Sequence, residues 1–355
     1  MIRCLLFVLS YAFYQPQLPA GQEGQLHIIF WNMENFFDYR DGGEGESDRE
    51  FSSFGSRHWT KKRFQAKCNA VAKTIFWLQD EYGRLPDLIG LAEIENRNVL
   101  YRLLKDTALK KTDYKFIHYD GRDRRGIDVA ILYRSSIMSP ISHTRKVPVL
   151  ESEDPAREDA DTLDTRDILH VRMELKNGLT GHSDVDFIVN HHPSKYGGAR
   201  QSDRRREAAM TCLRQLCDSL AAAPSVPSSS RPSVQSSATH PPSVPLIAMG
   251  DFNDTPDSAP FRLLDGRLVN MGLPLHAKGL GTIRYEGKWD LIDMFLTDPE
   301  TAERSCMEIV RVPFLMVKDS KHPGEKPLRT YSGPKYLGGV SDHCPVILMV
   351  NLQNY

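Results

Sequence analysis

Pro245-Leu246-Ile247-Ala248-Met249-Gly250-Asp251-Phe252-Asn253-Asp254 is the stretch on which the fold turns. An uncharged, largely apolar run passes straight into a Gly-Asp-Phe-Asn turn. A short continuous apolar run reads as a strand covered on both faces, with its polar residues where the strand ends. The same arrangement recurs along the chain. Ile28-Ile29-Phe30-Trp31 runs into Asn32, residues 88–92 run into Glu93, and Phe187-Ile188-Val189 runs into Asn190 and His191. Near the C-terminus the order reverses, and Ser341-Asp342-His343 precedes the apolar residues 345–350. The polar tips of such strands gather at one sheet edge. An edge carrying Asn, Glu, two Asp and two His suits a divalent cation beside a phosphate.

Between these strands, Phe64, Cys68, Val71, Ile75 and Leu78 recur at helical steps, which predicts an amphipathic helix over residues 59–82, stopped before Pro86. Residues 96–109 read as a second helix with Leu100, Leu103, Leu104 and Ala108 on one side. Residues 203–222 read as a third, led by basic side chains. Further strands are expected at 114–119, 127–133 and 291–296, with loops at 39–57, 151–165 and 311–336. Strands and helices interleave without the strict alternation of a barrel. Two sheets packed face to face with helices outside fit better than one doubly wound sheet.

The suspected site residues run from Asn32 to His343, so no cut of the 355 residues leaves them together. One catalytic domain over residues 26–353 is the expectation. It is interrupted at about 223–245 by a Pro/Ser-rich segment with few large apolar residues, read as a disordered surface insertion. Hydrophobic residues make up 40% and charged residues 26%, enough for a sizeable core. A formal net charge of -1 argues against a strong non-specific nucleic-acid field but leaves room for local basic patches. Arg122-Asp123-Arg124-Arg125 and Arg204-Arg205-Arg206 are such patches, either solvated faces or a path for a phosphate backbone.

Residues 1–20 open with Arg3 in a short cationic segment, continue through an apolar stretch, and then meet small and polar residues, the layout of a signal peptide. The apolar stretch is too short to span a bilayer, which takes about 20 residues. A secreted or periplasmic protein without a transmembrane segment is expected. Beyond Cys4, five cysteines remain without zinc spacing, and they read as buried free thiols, with one disulfide left open by the odd count.

The quoted segments resemble the endonuclease/exonuclease/phosphatase superfamily. Its order is kept by Trp31-Asn32-Met33-Glu34-Asn35, Leu91-Ala92-Glu93, Arg125-Gly126-Ile127-Asp128-Val129-Ala130, Asn190-His191-His192-Pro193, Gly250-Asp251-Phe252-Asn253, Ile292-Asp293-Met294-Phe295-Leu296 and Ser341-Asp342-His343. The resemblance implies a four-layered α/β sandwich, two mixed sheets flanked by helices. It implies Glu93, Asn32 and Asp342 as ligands of Mg²⁺, for which Mn²⁺ or Ca²⁺ could substitute. It implies Asp251 as the base that deprotonates water, oriented by Asn253. It implies His343 as donor to a phosphoryl oxygen with Asp293 behind it, and His191 in acid–base work. Asn253, Arg125, Asp128 and Trp289 are the candidate substrate contacts.

Other readings of single residues stay open at this stage. Asp251 could be a turn former, Glu95 a solvated carboxylate, His192 a structural histidine, Asn35 a substitute for Asn32, and Trp289 and Tyr285 packing residues. The reaction expected is metal-assisted in-line attack of water on a P–O bond, in a monomer with no protein partner. The substrate is nucleic acid or, alternatively, a small or lipid phosphoester. A binding protein that has kept the fold and lost the chemistry is a third reading.

Overall fold

Along the first strand, β1 (Gln25–Phe36), Leu26, Ile28 and Phe30 turn to one face while Ile29, Trp31 and Met33 turn to the other. This two-residue period divides the apolar side chains between two cores. The following elements are α1 (Lys61–Tyr82), β2 (Leu88–Ile94), α2 (Arg97–Lys105), β3 (Tyr114–His118), β4 (Asp128–Arg134), β5 (Met138–Lys146), β6 (Ile168–Leu175) and β7 (Asp184–His191). Then come α3 (Ala199–Ala222), β8 (Leu246–Asp251), β9 (Val269–Asn270), β10 (Asp293–Thr297), β11 (Ser305–Ile309) and β12 (Val346–Asn351). The computed structural model describes residues 24–43, 45, 47–150, 161–163, 165–176, 184–195, 199–222 and 244–351. The expected leader at 1–20 and residues 223–243 of the expected insertion lie outside the described residues.

Two six-stranded mixed sheets result. The first has the order β11-β12-β1-β2-β4-β3 and the second β9-β10-β8-β7-β6-β5. In the first, β1 runs parallel to β2 and antiparallel to β12; in the second, β8 runs parallel to β7 and antiparallel to β10. One core lies between the sheets, where Ile28, Phe30 and Val346 share a cluster with Phe187, Ala248 and Met249. Gly90 permits the close approach, because a Cβ there would lie 2.5 Å from the Met249 sulfur. The other core lies between the first sheet and α1 and α2, and takes Phe64, Val71, Ile75, Leu100 and Leu103. On the side of the second sheet, α3 contributes Met210, Leu213, Leu216 and Cys217. The order helices, sheet, sheet, helix is the expected four-layered α/β sandwich.

Several boundaries differ from those expected. α1 starts at Lys61 because the Thr60 side chain caps it, accepting the Arg63 N–H, and it ends at Gly83 with φ 76°. α2 stops at Lys105, and a separate 3₁₀ turn covers Ala108–Lys111. β5 and β6 are not among the expected strands. β5 is an edge strand whose side chains after Met138 are mostly exposed, so it carries no apolar period to read. Residues 311–336, expected as loop, contain two small hairpins, Met316–Lys318 with Glu325–Pro327 and Tyr331–Ser332 with Lys335–Tyr336. All five described cysteines are free. Among the described residues no helix is long and apolar enough to cross a membrane.

Candidate active site

β8 is central in the second sheet, and its last residue, Asp251, pairs with His191 at the end of β7 and with Asp293 at the start of β10. Three ionisable side chains thus sit side by side on adjacent strands. Gly250 is required there, because a Cβ would lie 2.5 Å from the carbonyl oxygen of Asn190. From the first sheet, Asn32 of β1 lies beside Ala92 of β2, which places Glu93 one residue further on. The approach to β12 brings Ser341-Asp342-His343. This last segment is fixed to β1: Ser341 Oγ donates to the Asn32 carbonyl at 2.6 Å, and Trp31 Nε1 donates to the His343 carbonyl at 3.0 Å.

Asp251 is the hub. Its Oδ2 accepts from Asn32 Nδ2 at 2.9 Å and lies 3.7 Å from His191 Nε2 and 4.0 Å from His343 Nε2. Its Oδ1 accepts the Asn253 N–H at 2.9 Å, while Asn253 Nδ2 donates to the His192 carbonyl at 3.0 Å. The Asn253 side chain therefore locks the turn that holds the carboxylate. His343 Nδ1 meets Asp293 Oδ2 at 2.7 Å, and Thr282 donates to the same oxygen. Glu93 Oε2 accepts the Asn35 N–H at 2.6 Å, while Oε1 faces Arg125 Nη2 at 3.7 Å and His191 Nε2 at 3.8 Å. Asp342 Oδ2 pairs with Arg329 Nη2 at 2.9 Å, and its Oδ1 lies 3.8 Å from His343 Nε2.

The backbone is irregular where these groups meet. Six described non-glycine residues have positive φ, and four of them are Glu34, Asn35, Glu93 and Asn253. Such conformations cost about 1–3 kcal/mol each and persist where the surroundings over-determine them. The pairing of β1 with β2 shifts register between Asn32 and Phe36, and that of β2 with β4 shifts between Ala92 and Ile94. These bulges turn Glu93 into the site. They also overturn the expectation of a solvated Glu95. It is buried, its Oε2 accepts the Asp38 N–H at 2.6 Å, and burial pushes its carboxyl up to about 9.

Burial and charge set the protonation states. Burial, with Asp293 beside it, raises the Asp251 carboxyl to about 7, against the opposing effect of His343. Burial alone would lower His343, but Asp293, with Asp251 and Asp342, outweighs it and holds the imidazole well above its ordinary value. Burial, reinforced by Arg166 and Arg125, drives His191 well below the ordinary value, so this imidazole is neutral. The two histidines facing Asp251 are thus in opposite states.

The donor set fits a cation on the Glu93 side. Among the described residues Glu93 Oε1 accepts no hydrogen bond, and Asp342 Oδ1 stands free of the Arg329 pair. One or two carboxylates, with the Asn32 amide oxygen that also accepts the Glu34 N–H at 2.9 Å, and completed by water and substrate oxygens, is the sparse set that Mg²⁺ takes. Asp251, Asp293 and His343 also lie close enough together to hold an ion. There, Asp293 Oδ2 already accepts from His343 and Thr282, a carboxylate–imidazole pair, while the buried Asp293 Oδ1 has no hydrogen-bond partner among the described residues.

Asn32, Glu93, Asp251, Asn253, Asp293, Asp342, His343, His191 and Arg125 come together as expected. The described contacts of two further candidates, Asp128 and Trp289, are with other groups. Asp128 faces His118, 3.6 Å from its Nε2, and accepts the Gly121 N–H; burial, with Asp120 and Asp123 nearby, pushes its carboxyl up to about 8. Asp128 is the first residue of β4 and pairs with Ile94, just past the register shift at Glu93. Trp289 lies on a hairpin of Ile283–Tyr285 and Lys288–Asp290, covered by the Arg311 guanidinium 3.5 Å from its ring centroid. His192 is packed edge-on against Phe252, and burial lowers it to about 3. Arg206 is buried between Asp203 and Asp254, at 2.7 Å from the latter, so that basic run is partly internal.

Three contributors were not singled out from the sequence. Glu34 Oε1 accepts from Arg329 Nε at 2.9 Å, and its Oε2 accepts the Thr330 N–H at 2.7 Å. Lys67 Nζ, fully buried, donates to the Glu34 carbonyl at 2.8 Å and to Thr330 Oγ1 at 3.0 Å. Burial, with Asp342 nearby, raises Glu34 to about 7, and burial lowers Lys67 to about 8. Glu34 stands two residues from Asn32 in the same motif, and Lys67 falls at a core position of α1 between Phe64 and Val71. Both signals were readable. Arg329 arrives from a loop without periodicity.

The sandwich, its edge and the paired His343–Asp293 define the class. The chain belongs to the Endonuclease/Exonuclease/phosphatase family, whose model matches residues 27–352. This is a family of metal-dependent, phosphoester-hydrolysing enzymes. No curated protein sequence matches the chain significantly. Among solved structures it is similar to an endonuclease/exonuclease/phosphatase family protein from Bacteroides thetaiotaomicron, with TM-score 0.55, 15% identity, and 92% of this chain and 98% of that one covered. A mannosyl-6-phosphatase of the same organism gives TM-score 0.52 at 14% identity, covering 92% and 99%. TDP2 of D. rerio, complexed with a single-strand DNA product, gives 0.50 at 14%, also covering 92% and 99%. At these identities the likeness concerns the fold.

Proposed function

We propose that this protein is a Mg²⁺-dependent phosphodiesterase acting on nucleic acid, cleaving a P–O bond by in-line attack of water. The observation that carries the reaction class is the environment of Asp251 Oδ2, held by Asn32 at 2.9 Å and faced by His191 at 3.7 Å and His343 at 4.0 Å. Asp251, fixed by the Asn253 turn, takes the proton of the attacking water. His343, kept cationic by Asp293, donates to a phosphoryl oxygen as charge builds on it. Neutral His191 supplies a donor or acceptor between Glu93 and Asp251. Glu93, Asn32 and Asp342 would hold Mg²⁺, whose chemistry is to polarise the phosphoryl oxygen and stabilise charge on the leaving oxygen.

A polymeric substrate is favoured by the site's surroundings. Arg125 and Arg329, whose side chains are 40% and 48% exposed, flank the carboxylates from two different loops. Tyr285, 71% exposed, tops a hairpin whose Ile283 bridges to His343, and it offers a ring on which a base can stack. A net charge of -1 supports the second reading, a phosphatase or phospholipase-like phosphodiesterase on a small or lipid phosphoester. The two named neighbours, a phosphatase and a DNA-bound protein, do not choose between these. A panel of plasmid, single-stranded DNA, RNA, sugar phosphates and phospholipids, with Mg²⁺ or EDTA, does. Nucleic acid should be cut only with Mg²⁺. Untouched nucleic acid with inorganic phosphate released from sugar phosphates would move the assignment to the second reading. Export is proposed on the N-terminal pattern alone; N-terminal sequencing of the secreted chain should begin after residue 20 or near it.

A further inference from the structure

Outside the Asp251 cluster, a second group of side chains is built around a buried histidine. His118, the last residue of β3, has no exposed side-chain surface, and neither of its ring nitrogens makes a hydrogen bond. Leaving a buried polar group idle costs about 1–3 kcal/mol, so the arrangement calls for a partner. Each nitrogen instead faces a carboxylate at 3.6 Å, Nδ1 toward Asp120 Oδ1 and Nε2 toward Asp128 Oδ2. That separation is too long for a hydrogen bond. On whichever nitrogen binds, that separation is close to the spacing of about 3.0–3.4 Å between neighbouring ligands on an ion with bonds of about 2.1 Å, and the carboxylate facing the other nitrogen must turn toward the ion to join it.

We propose that His118, Asp120 and Asp128 form a second cation site, for a first-row divalent ion of the Zn²⁺ or Mn²⁺ kind, outside the phosphoester-cleaving cluster. One nitrogen of His118 and one oxygen of each carboxylate lie within 4.8 Å of one another. Asp128 is buried and fixed at the start of β4, whereas the Asp120 side chain is 72% exposed and free to turn onto the ion. The loop between them is pressed against Asp128: a Cβ at Gly121 would lie 2.2 Å from Asp128 Oδ1. Imidazole with two carboxylates is a donor mix that first-row ions accept and that Mg²⁺ and Ca²⁺, which prefer all-oxygen sets, do not favour. The imidazole nitrogen not bound to the ion is left for a water or the nearer carboxylate.

The ion would tie the ends of the loop at residues 119–127. That loop carries Asp123, paired with Arg166 at 3.0 Å, and Arg125, whose guanidinium reaches Glu93 at 3.7 Å. Its service is positional, holding a cation beside a carboxylate of the other site.

The test uses the full chain with Glu93→Gln, which weakens the phosphoester-site cation, stripped with EDTA and titrated with Zn²⁺ and Mn²⁺ by calorimetry. One equivalent of at least one of these ions should bind, and the melting temperature should rise with it. Asp120→Asn, an exposed change that leaves the core intact, should weaken that binding by at least about tenfold, and His118→Gln by more. Circular dichroism and the melting curve identify any variant that fails to fold, in which case Asp120→Asn alone decides. If Glu93→Gln takes up neither ion, or binds it equally tightly after Asp120→Asn, the site does not exist. Neither result depends on what substrate the enzyme cleaves.

Discussion

β1 has a foot and a tip of opposite character. At the foot, Gln25 to Phe30 pair in unbroken register with β12, Ile28 to Phe30 pair in register with β2, and Asp87 accepts the His27 N–H at 2.9 Å and the Arg84 guanidinium at 2.7 Å. At the tip, from Asn32 onward, the register with β2 shifts, Glu34 and Asn35 take positive φ, and the side chains are Asn32 and Glu34. The same contrast divides β2 into Leu88–Ala92 and the strained Glu93. Apolar pairing sets the foot, while the tip is held by long-range polar contacts to Ser341, Asp251 and Arg329. The energy of the regular half supports the irregular half, and the chemistry is confined to the latter.

If that division is right, substitutions at the tips should abolish turnover while sparing the fold. The largest effect is expected for Asp251→Asn, which keeps the shape and removes the base. Turnover should fall by roughly 10³-fold, with a melting temperature at or above that of the wild type, since a buried carboxylate raised to about 7 is relieved. Unfolding of this variant would show that Asp251 belongs to the supporting half.

Asp293→Asn sharpens the distinction between fixing and reacting. Asp293 holds the proton on His343, which stays charged to higher pH than an ordinary histidine. Without that carboxylate the imidazole loses its proton at lower pH. The alkaline limb of kcat should therefore move toward neutrality, with an overall loss of about 10²-fold. An unshifted alkaline limb would mean that the pair does not carry the acid.

Smaller effects concern stability. Asn35→Ala puts a residue less tolerant of left-handed backbone at φ 53° and should cost about 1 kcal/mol in denaturant unfolding. The same change at a regular position of the foot has no such penalty. Smallest is His27→Gln at the foot. Burial, with Arg84 nearby, lowers His27 from 6.5 to about 4, so the folded chain refuses a proton that the unfolded chain accepts between those values. The stability this neutral imidazole contributes is present above about 6.5 and is lost as pH falls toward about 4. His27→Gln should therefore lose less melting temperature than the wild type over that window, with turnover unchanged. Equal losses would place the acid sensitivity elsewhere.

The foot was the legible part of the chain. Residues 28–31, 88–92, 187–189 and 245–249 are continuous apolar runs, and they became the inner strands of both sheets. Legibility failed in two physical situations. The edge strand Met138–Lys146 has mostly solvent-facing side chains after Met138, so nothing in its composition separates it from loop. At the tips, strand alternation assigns faces only while the strand stays regular; Glu95, expected as solvated, is buried just past the register shift at Glu93. Asp128 was carried into the site by its place in a motif, whereas its carboxylate turns to His118 and Gly121. The members that did converge, Asn32, Glu93, Asp251, Asp293 and His343, were readable because each terminates or begins an apolar run.

The most direct measurement is a Mg²⁺ titration of phosphodiester hydrolysis, made on EDTA-stripped wild type and on Glu93→Gln. The wild type should be inactive in EDTA and recover to saturation as Mg²⁺ is restored, while Glu93→Gln should need far more Mg²⁺ and reach a lower plateau. Full turnover in EDTA, or identical Mg²⁺ curves for the two proteins, would contradict a cation held at the tip of β2.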